Sequence, residues 1–305
     1  MNAHKIVVGY DGSDSSKVAV EYALRTAAGR GGSVLLAHVA FAGISSVGAT
    51  PVVAASSHDA LMVAERKLLD DAVRDATAEA PGVDVQSTIV VGRPAPALLH
   101  LLDDADLLVL GRRGLGAFAE LMVGSTSVQL AGHAPCPVVV VRPTGYLPLG
   151  SEVGQVVVGV DGSTGSAAAL GYAFEEASWR GCGLTAIAAW EAPAFEAYGW
   201  MSSPPPKDVL PVYEREARRT LAESLAGWSE KYPEVEVRRR SVHASPLAAL
   251  VNASAGARLV VVGSRGSGGF RSLLLGSVGH SLLHHAHCPV AVVPRTEGAP
   301  AGEPS

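Results

Sequence analysis

The sequence predicts an α/β protein made of two tandem domains, each a doubly wound parallel sheet of five strands. Short apolar runs alternate with longer amphipathic segments along the chain, which is typical of parallel sheets with helices on both faces. The motifs of the first half also return, in the same order, in the second half. Hydrophobic residues make up 48% of the chain but aromatic residues only 5%, so the core must consist mainly of Val, Leu, Ile and Ala. Such residues suit strands buried on both faces.

The elements of the first half can be placed in order. A strand at Lys5–Gly9 ends in Asp-Gly-Ser, which caps a helix predicted over residues 15–30. A strand follows at Ser33–Ala40, and leucines at helical spacing predict a helix over residues 58–79. The remaining predicted elements are a strand at residues 83–91, a short helix opening at Pro94, a strand at Leu107–Gly111, a helix after Ser125 and a strand at Val138–Val141.

The second half repeats this order. Residues 5–13 return as residues 155–163, and residues 133–138 return as residues 285–290. Repeats of this length indicate a duplicated domain, since solenoid units are only a few tens of residues long. The predicted domains are residues 1–146 and 153–295, joined by a Pro- and Gly-containing linker, and a disordered tail is expected over residues 296–305.

Composition and charge exclude several classes of protein. Charged residues are too few, at 17%, for a disordered chain, and a net charge of −5 argues against nucleic acid as a partner. No apolar stretch is long enough to cross a membrane, and the N-terminus has no signal-peptide pattern. The three cysteines form no CxxC pair, so neither a disulfide framework nor a zinc site is indicated. We expect a cytoplasmic protein with no membrane partner.

A spaced glycine motif, Gly-x2-Gly-x9-Gly-Ser, follows the fourth strand of each half. Glycines let a backbone approach a ligand closely, and the Gly-Ser pair opens a helix whose free N–H groups and positive dipole end favour phosphate. The alternative is that these residues only form turns and a helix cap. The motif consists of Gly111, Gly114, Gly124 and Ser125 in the first half and of Gly263, Gly266, Gly276 and Ser277 in the second.

Together with residues 7–13, His38-Val39, residues 91–94 and residues 136–141, this motif resembles the universal stress protein family in its ATP-binding, two-domain form. The similarity covers nearly the whole chain. It implies a fold like that of adenine-nucleotide α-hydrolases. It also implies an intramolecular pseudo-dimer, in which the halves pack about a pseudo-twofold axis through their final strands. Assembly into a homodimer and an unknown protein partner are further hypotheses.

The resemblance implies an adenine-nucleotide site in each half, with ATP as ligand and Mg²⁺ as the metal that a triphosphate usually brings. Asp11 and the backbone of Tyr10 would contact adenine or ribose, with Val39 beside the base. The glycine motif and its neighbours would line the ribose and hold the phosphates: Gly111, Arg112, Gly114, Gly124, Ser125 and Thr126. The matching residues of the second half are Val160, Asp161, Ala189, Gly263, Ser264, Gly266, Gly276, Ser277 and Val278.

The second half departs from this pattern at three places. Ala189-Trp190 replaces Val39-Ala40, Ala244 replaces Gly92 and Ser264 replaces Arg112. Equal affinity of the two sites is therefore in doubt. Trp190 could stack near a base, but we favour a role in filling the domain surface.

Other candidate residues have simpler interpretations. His280 and His284 have the i, i+4 spacing of a metal chelate, yet they lie near the end of a helix, where histidines interact well with exposed carbonyls. Cys136 and Cys288 precede buried strands and are expected to act as small hydrophobic residues. Arg113 and Arg265 are either phosphate ligands or solvated side chains, and the sequence leaves both interpretations open.

Three functions of different kinds remain. A nucleotide-binding regulatory module, active in stress, energy limitation or dormancy, fits best because no acid/base machinery is visible and no catalytic residue can be named. A slow ATPase or nucleotidyl-transfer enzyme would need metal-holding carboxylates, for which Asp11 and Asp161 are the evident candidates. A nucleotide-independent scaffold is the weakest alternative.

Overall fold

A computed structural model describes most of the chain, and its contacts divide the chain into two compact units, Met1–Pro143 and Thr144–Ser305. The predicted tail and most of the predicted linker lie outside the described residues. For residues 51–61 only the backbone is described. The described residues are 4–40, 51–114, 123–142, 154–191, 195–197, 201–203, 210–266 and 275–295.

The first unit is an α/β sandwich around one parallel sheet. The strands lie in the order β3-β2-β1-β4-β5, and every neighbouring pair is parallel. Helices follow the strands in alternation, as the sequence predicts. The elements are β1 Lys5–Gly9, α1 Asp14–Arg30, β2 Ser33–Ala40, α2 Pro51–Glu79, β3 Asp84–Val91, α3 Pro94–Leu99, β4 Leu107–Gly111, α4 Ser125–His133 and β5 Val138–Val141.

The second unit has the same topology, with its strands in the parallel order β10-β7-β6-β11-β12. It adds an antiparallel hairpin, β8-β9, which the sequence did not predict. Its outer helix is also broken into two, α6 and α7. The elements are β6 Val156–Gly159, α5 Thr164–Arg180, β7 Leu184–Trp190, β8 Phe195–Ala197, β9 Met201–Ser203, α6 Leu210–Ser224, α7 Trp228–Lys231, β10 Val237–His243, α8 Pro246–Ser254, β11 Leu259–Gly263, α9 Ser277–His285 and β12 Val290–Val293.

The core of each unit lies on both faces of the central strands. Val7 and Val8 in β1, and Val157 and Val158 in β6, are fully buried. Aliphatic, β-branched runs of this kind form strands because they pack well on a pleated surface that is covered on both sides. The scarcity of aromatic residues is thus explained by a parallel sheet enclosed between helices.

Local sequence signals determine where the helix after the first strand of each unit begins and ends. The hydroxyl oxygens of Ser13 and Ser163 accept hydrogen bonds from the backbone N–H groups of Ser16 and Ser166 and so cap α1 and α5. Both helices end at a glycine in the left-handed conformation. The sequence placed α1 to within a residue.

The start of α2 was predicted too late. The structure begins this helix at Pro51, not at residue 58. Proline suits the first turn of a helix, where its missing N–H would have no intrahelical partner. The segment that follows Pro51 lacks the regular apolar spacing on which the prediction depended.

The strand order creates one crevice in each unit. Chain order runs outward from β1 through β2 to β3 on one side of the sheet, and through β4 to β5 on the other. Ligands of doubly wound sheets bind at the carboxyl ends of the strands where the order reverses. That position lies between β1 and β4 in the first unit and between β6 and β11 in the second.

Candidate functional site

An aspartate lies in the loop that follows the first strand of each unit. One carboxylate oxygen of Asp11 accepts a hydrogen bond from the backbone N–H of Ser13 at 3.0 Å. Asp161 repeats this bond with Ser163 at 3.0 Å and also accepts from the Ser163 hydroxyl at 2.6 Å. Each aspartate therefore closes a turn through its side chain, which holds the carboxylate at the edge of the crevice.

The loop after the fourth strand lies against this aspartate. A Cβ atom at Gly114 would be 2.5 Å from the second carboxylate oxygen of Asp11, and one at Gly266 would be 2.6 Å from that of Asp161. Any larger residue would displace the carboxylate. The second glycine of the motif thus lets the loop and the carboxylate lie together, a contact that the sequence analysis did not predict.

The first glycine of the motif also has a packing role. A Cβ atom at Gly111 would lie 2.6 Å from the carbonyl carbon of Ser15, and one at Gly263 would lie 2.6 Å from that of Gly165. The end of the fourth strand therefore touches the start of the helix that follows the first strand, α1 or α5. The sequence analysis considered ligand contact and turn formation for these glycines, and the structure adds their contact with α1 and α5.

The third glycine of the motif begins a helix and leaves open space. Gly124 and Gly276 have φ angles of −61° and −63°, and neither α4 nor α9 has a side-chain cap. Their N–H groups bond to the carbonyls of Arg112 at 3.0 Å and Ser264 at 2.8 Å. A Cβ atom at either position would meet nothing closer than 3.5 Å among the described residues. The first turn of each helix thus faces the crevice with its positive dipole end.

In the second unit these parts enclose a cavity of about 370 Å³, within the range of small-molecule sites. Its lining combines apolar side chains with the glycine motif and Arg265. All of the residues predicted for this half line it except Ser264. The predicted residues in the lining are Val160, Asp161, Ala189, Gly263, Gly266, Gly276, Ser277 and Val278.

In the first unit the cavity found among the described residues lies nearer to α3 and α4. It measures about 270 Å³ and contains Ser125 and Thr126 of the predicted site. Arg93 and Gln129 also line it, and the sequence analysis had not named either as a ligand residue. The other predicted residues do not line this cavity, and their places in the chain are Tyr10 and Asp11 after β1, Val39 near the end of β2, Gly111 at the end of β4, Arg112 and Gly114 after it, and Gly124 at the start of α4.

A profile of the universal stress protein family matches residues 2–142 and again residues 152–294. The chain belongs to the universal stress protein family. Universal stress protein Rv2005c of Mycobacterium tuberculosis is 38% identical over 295 residues, which cover 95% of this chain and 96% of that protein. The tandem pair of domains is therefore shared with curated members of the family.

Solved structures of universal stress proteins share the fold. A crystal structure from Archaeoglobus fulgidus superposes with a TM-score of 0.69 at 19% identity, covering 97% of this chain and 100% of that one. Two others match a smaller part of the chain. One is a universal stress protein in complex with cAMP (30% identity, 45% of this chain, 95% of that one, TM-score 0.33), and the other is an Arabidopsis thaliana protein with AMP bound (24% identity, 47% of this chain, 93% of that one, TM-score 0.35).

In this universal stress protein the first unit has a buried histidine beside its site. Nδ1 of His38 lies 2.8 Å from the carbonyl oxygen of Tyr10, and its Nε2 lies 2.7 Å from Oε2 of Glu65. Only 6% of His38 is exposed. The matching residue of the second unit is Ala188. The sequence analysis used His38 only as a mark of the family, although a histidine in an apolar strand was itself a signal of a buried polar contact.

Two arginines, Arg112 and Arg113, follow β4, and the charge of Arg113 affects the ionisation of Arg112. Burial and the charge of Arg113 both lower the pKa of Arg112. Among the described residues, the buried Nε of Arg113 has no hydrogen-bond partner. A part-buried pair of guanidinium groups favours an anion beside it.

Trp190 packs on the outside of the second unit. Its ring stacks on His243 at 4.3 Å and lies parallel to Tyr213 at 6.5 Å, and its Nε1 donates to the Ser241 hydroxyl at 2.9 Å. It is absent from the cavity lining. This universal stress protein thus uses Trp190 to fill the surface between β10 and α6, as the packing interpretation predicted.

No group of three or more His, Cys, Asp or Glu side chains is arranged to hold a metal within the described residues. His280 and His284 are neighbours, with ring centroids 4.9 Å apart.

Cys136 and Cys288 are buried free thiols, and burial raises the pKa of Cys136 to about 11. Among the helices of the described part of this universal stress protein, none is long and apolar enough to cross a membrane.

Proposed function

We propose that this universal stress protein binds adenine nucleotides, ATP in particular, in the crevice of each unit, and acts as a nucleotide-responsive regulatory module during stress, energy limitation or dormancy. The observation that carries the proposal is the cavity of the second unit, because it gathers residues predicted from sequence alone. Those residues come from the turn after β6, from β7, from the end of β11 and the loop that follows it, and from the start of α9, which are far apart in the chain.

The two ends of the cavity suit the two ends of a nucleotide. Ile187, Leu250 and Val262 give the inner wall an apolar surface that fits a base. The start of α9 and Arg265 offer N–H donors and positive charge, which fit a phosphate. The aspartate of the turn also lines the cavity, and its carboxylate can accept a hydrogen bond from a ribose hydroxyl.

The same geometry supports binding more than turnover. One carboxylate oxygen of Asp161 accepts from the backbone N–H and the hydroxyl of Ser163, and one of Asp11 accepts from the backbone N–H of Ser13, so both aspartates have a structural role in their turns. A phosphoryl-transfer site needs carboxylates that hold a metal and a residue that positions the nucleophile. We therefore propose Mg²⁺ as a companion of bound ATP, held mainly by the phosphates.

Thermal unfolding tests the proposal. A site with a Kd of about 10 μM, in the presence of 1 mM ATP and Mg²⁺, gains about 2.7 kcal/mol of stability. For a domain of this size, in which 1 kcal/mol moves the midpoint of unfolding by about 2 to 4 °C, we expect the midpoint to rise by roughly 5 to 11 °C. GTP at the same concentration is the control ligand, and denatured protein is also assayed for released nucleotide.

A variant in which a side chain fills the site of the second unit is the matched control for nucleotide binding. Gly276→Val places a side chain in the open space at the start of α9, and the φ angle of −63° accepts valine without strain. We expect this variant to fold and to lose the part of the ATP-induced shift that comes from the second unit. If the wild-type protein shows no shift with ATP and releases no nucleotide, the proposal is wrong and a nucleotide-independent scaffold remains.

A further inference from the structure

The outer edge of the sheet in the second unit carries a run of arginines. Strand β10 pairs with β7, and no other strand of the described residues pairs with it. Three consecutive exposed residues of β10, the arginine run, are Arg238, Arg239 and Arg240. An ion pair joins Nε of Arg238 to Oε1 of Glu236 at 3.4 Å, but one carboxylate cannot balance three guanidinium groups. This edge therefore has a local excess of positive charge, although the chain has a net charge of −5.

The main chain of β10 also offers hydrogen-bonding groups along this edge. The carbonyl of Glu236 accepts from the N–H of Leu184 at 2.9 Å, and the N–H of Ala244 donates to the carbonyl of Trp190 at 3.1 Å. Since the peptide groups of a strand alternate in direction, the even-numbered residues of β10 bond to β7 and the odd-numbered residues face away from it. The N–H and C=O groups that face outward form a template on which a further strand can pair.

The equivalent edge of the first unit has no arginine run. The register of the two sheets makes Val237 of β10 equivalent to Val85 of β3, because each lies beside the equivalent residue of the second strand of its unit. The next three residues of β3 are Gln86, Ser87 and Thr88. Charged side chains on an edge strand can serve to prevent unwanted pairing. Since the first unit does without them, protection of the edge does not by itself explain the arginine run.

The two faces of this edge suit different side chains. Side chains alternate across a strand, so Arg238 and Arg240 share one face. Arg239 shares the other face with the exposed His243, whose ring stacks on Trp190 at 4.3 Å. A strand added at this edge would place acidic side chains opposite Arg238 and Arg240, and apolar side chains on the face that carries the two rings.

We propose that the outer edge of β10 binds an extended, acidic segment of a partner protein by strand addition. Main-chain hydrogen bonds to the outward groups of β10 supply affinity, and the arginine run selects carboxylate side chains. None of the residues of β10 lines the cavity of the second unit, so this surface is distinct from the proposed nucleotide site.

Fluorescence anisotropy of a labelled peptide tests the proposal with the full chain. The probe is a peptide of about eight residues, the length of an ordinary strand, in which Glu and Val alternate. We expect saturable binding that weakens by at least about threefold when NaCl is raised from roughly 50 mM to 500 mM, because salt screens exposed charges. The same peptide with Lys in place of Glu is the control for charge and is expected not to bind.

Exchange of residues between the two edges locates the site. A triple variant gives β10 the residues of β3 and is expected to lower the affinity by at least about threefold, since it removes up to three exposed ion pairs. Its substitutions are Arg238→Gln, Arg239→Ser and Arg240→Thr. A charge-matched control removes three exposed cations from helices of the first unit and should leave the affinity unchanged. Its substitutions are Arg25→Gln, Arg66→Gln and Lys67→Gln. Because all six residues are exposed, both variants are expected to keep melting temperatures close to that of the wild-type protein.

Methylation of the backbone nitrogens of the probe separates strand addition from attraction between charges. The methylated peptide keeps its carboxylates but has lost its main-chain donors, so we expect it not to bind. Binding of the methylated peptide as tightly as the parent, equal affinity in the triple variant, or no saturable binding to the wild-type chain would each overturn the proposal. A single-stranded oligonucleotide that binds more tightly than the peptide and loses affinity in the triple variant would also overturn it, and would assign the arginine run to nucleic acid.

Discussion

At the scale of single residues, His38 connects three elements of the first unit. It lies on β2, faces the carbonyl of Tyr10 after β1, and meets Glu65 on α2. Both ring nitrogens thus face oxygen acceptors, and His38 can donate to both at once only when both nitrogens carry a proton. The half-buried carboxylate of Glu65 and the carbonyl of the buried Tyr10 have this ring as a partner.

His38→Ala is therefore expected to lower the free energy of unfolding by about 2 to 3 kcal/mol, because it leaves buried acceptors without donors. Urea denaturation followed by circular dichroism measures the change. His133→Ala is the control, since His133 is exposed, and its effect should stay within about 0.5 kcal/mol. A loss of similar size in both variants would show that the contacts of His38 are not what stabilises the unit.

The ionisation of Cys136 is expected to make the free energy of unfolding depend on pH. Burial raises its pKa to about 11, whereas an unfolded thiol ionises near pH 8.5 to 9. The folded state thus keeps a proton that the unfolded state loses, so the stability from this group is complete below about pH 8.5 and is lost as the pH rises towards 11.

Between pH 8 and pH 10, the free energy of unfolding of the wild-type protein is expected to fall by about 1 to 2 kcal/mol more than that of Cys136→Ala. Urea denaturation at pH 8, 9 and 10 supplies the comparison. Parallel curves for the two proteins would mean that the thiol ionises equally well in the folded state.

At the scale of elements, the contact between β4 and α1 determines where the crevice lies. Gly111 allows it, since its missing side chain leaves room for the backbone of Ser15. The sequence identified this glycine correctly as part of a motif, but a motif does not show which neighbour requires the glycine. The neighbour is a helix almost a hundred residues earlier in the chain, and only the tertiary structure reveals it.

Gly111→Ala is expected to destabilise the protein by about 1 to 3 kcal/mol, because its Cβ atom would overlap backbone that cannot move aside easily. Gly82→Ala is the matched control: a Cβ atom there meets nothing within 4 Å, so its effect should lie within about 0.5 kcal/mol. Thermal unfolding of both variants measures the difference in their stability. Equal midpoints would contradict the packing role of Gly111.

At the scale of the whole molecule, the duplication made most of the fold predictable. Strands built from Val, Leu and Ile, and helices with Ser-based caps, are determined by local chemistry, so β2, β4 and β5 begin and end where the sequence placed them. The start of α2 and the hairpin β8-β9 were missed because neither has a regular apolar pattern. Their positions depend on the neighbouring elements of the fold.

The candidate site was predictable to a similar degree. Glycines, aspartates and the Gly-Ser helix starts were named from their repetition, and the second unit brings nearly all of its set together. Pro246 and Leu250 of the lining were missed, as was Arg93, because an apolar helix face or a lone arginine has no distinctive sequence signal. Those residues join the site through the packing of α8 and α3 against the sheet.

The loop after the fourth strand is held by main-chain hydrogen bonds to the last strand and to the start of the next helix. Arg112 and Ser264 occupy the same point of that loop, yet their side chains take no part in those two bonds. A duplicated gene can therefore diverge at this codon without endangering the architecture. The two copies of this loop within one chain already differ there, one with a guanidinium group and the other with a hydroxyl, and both keep the same main-chain bonds.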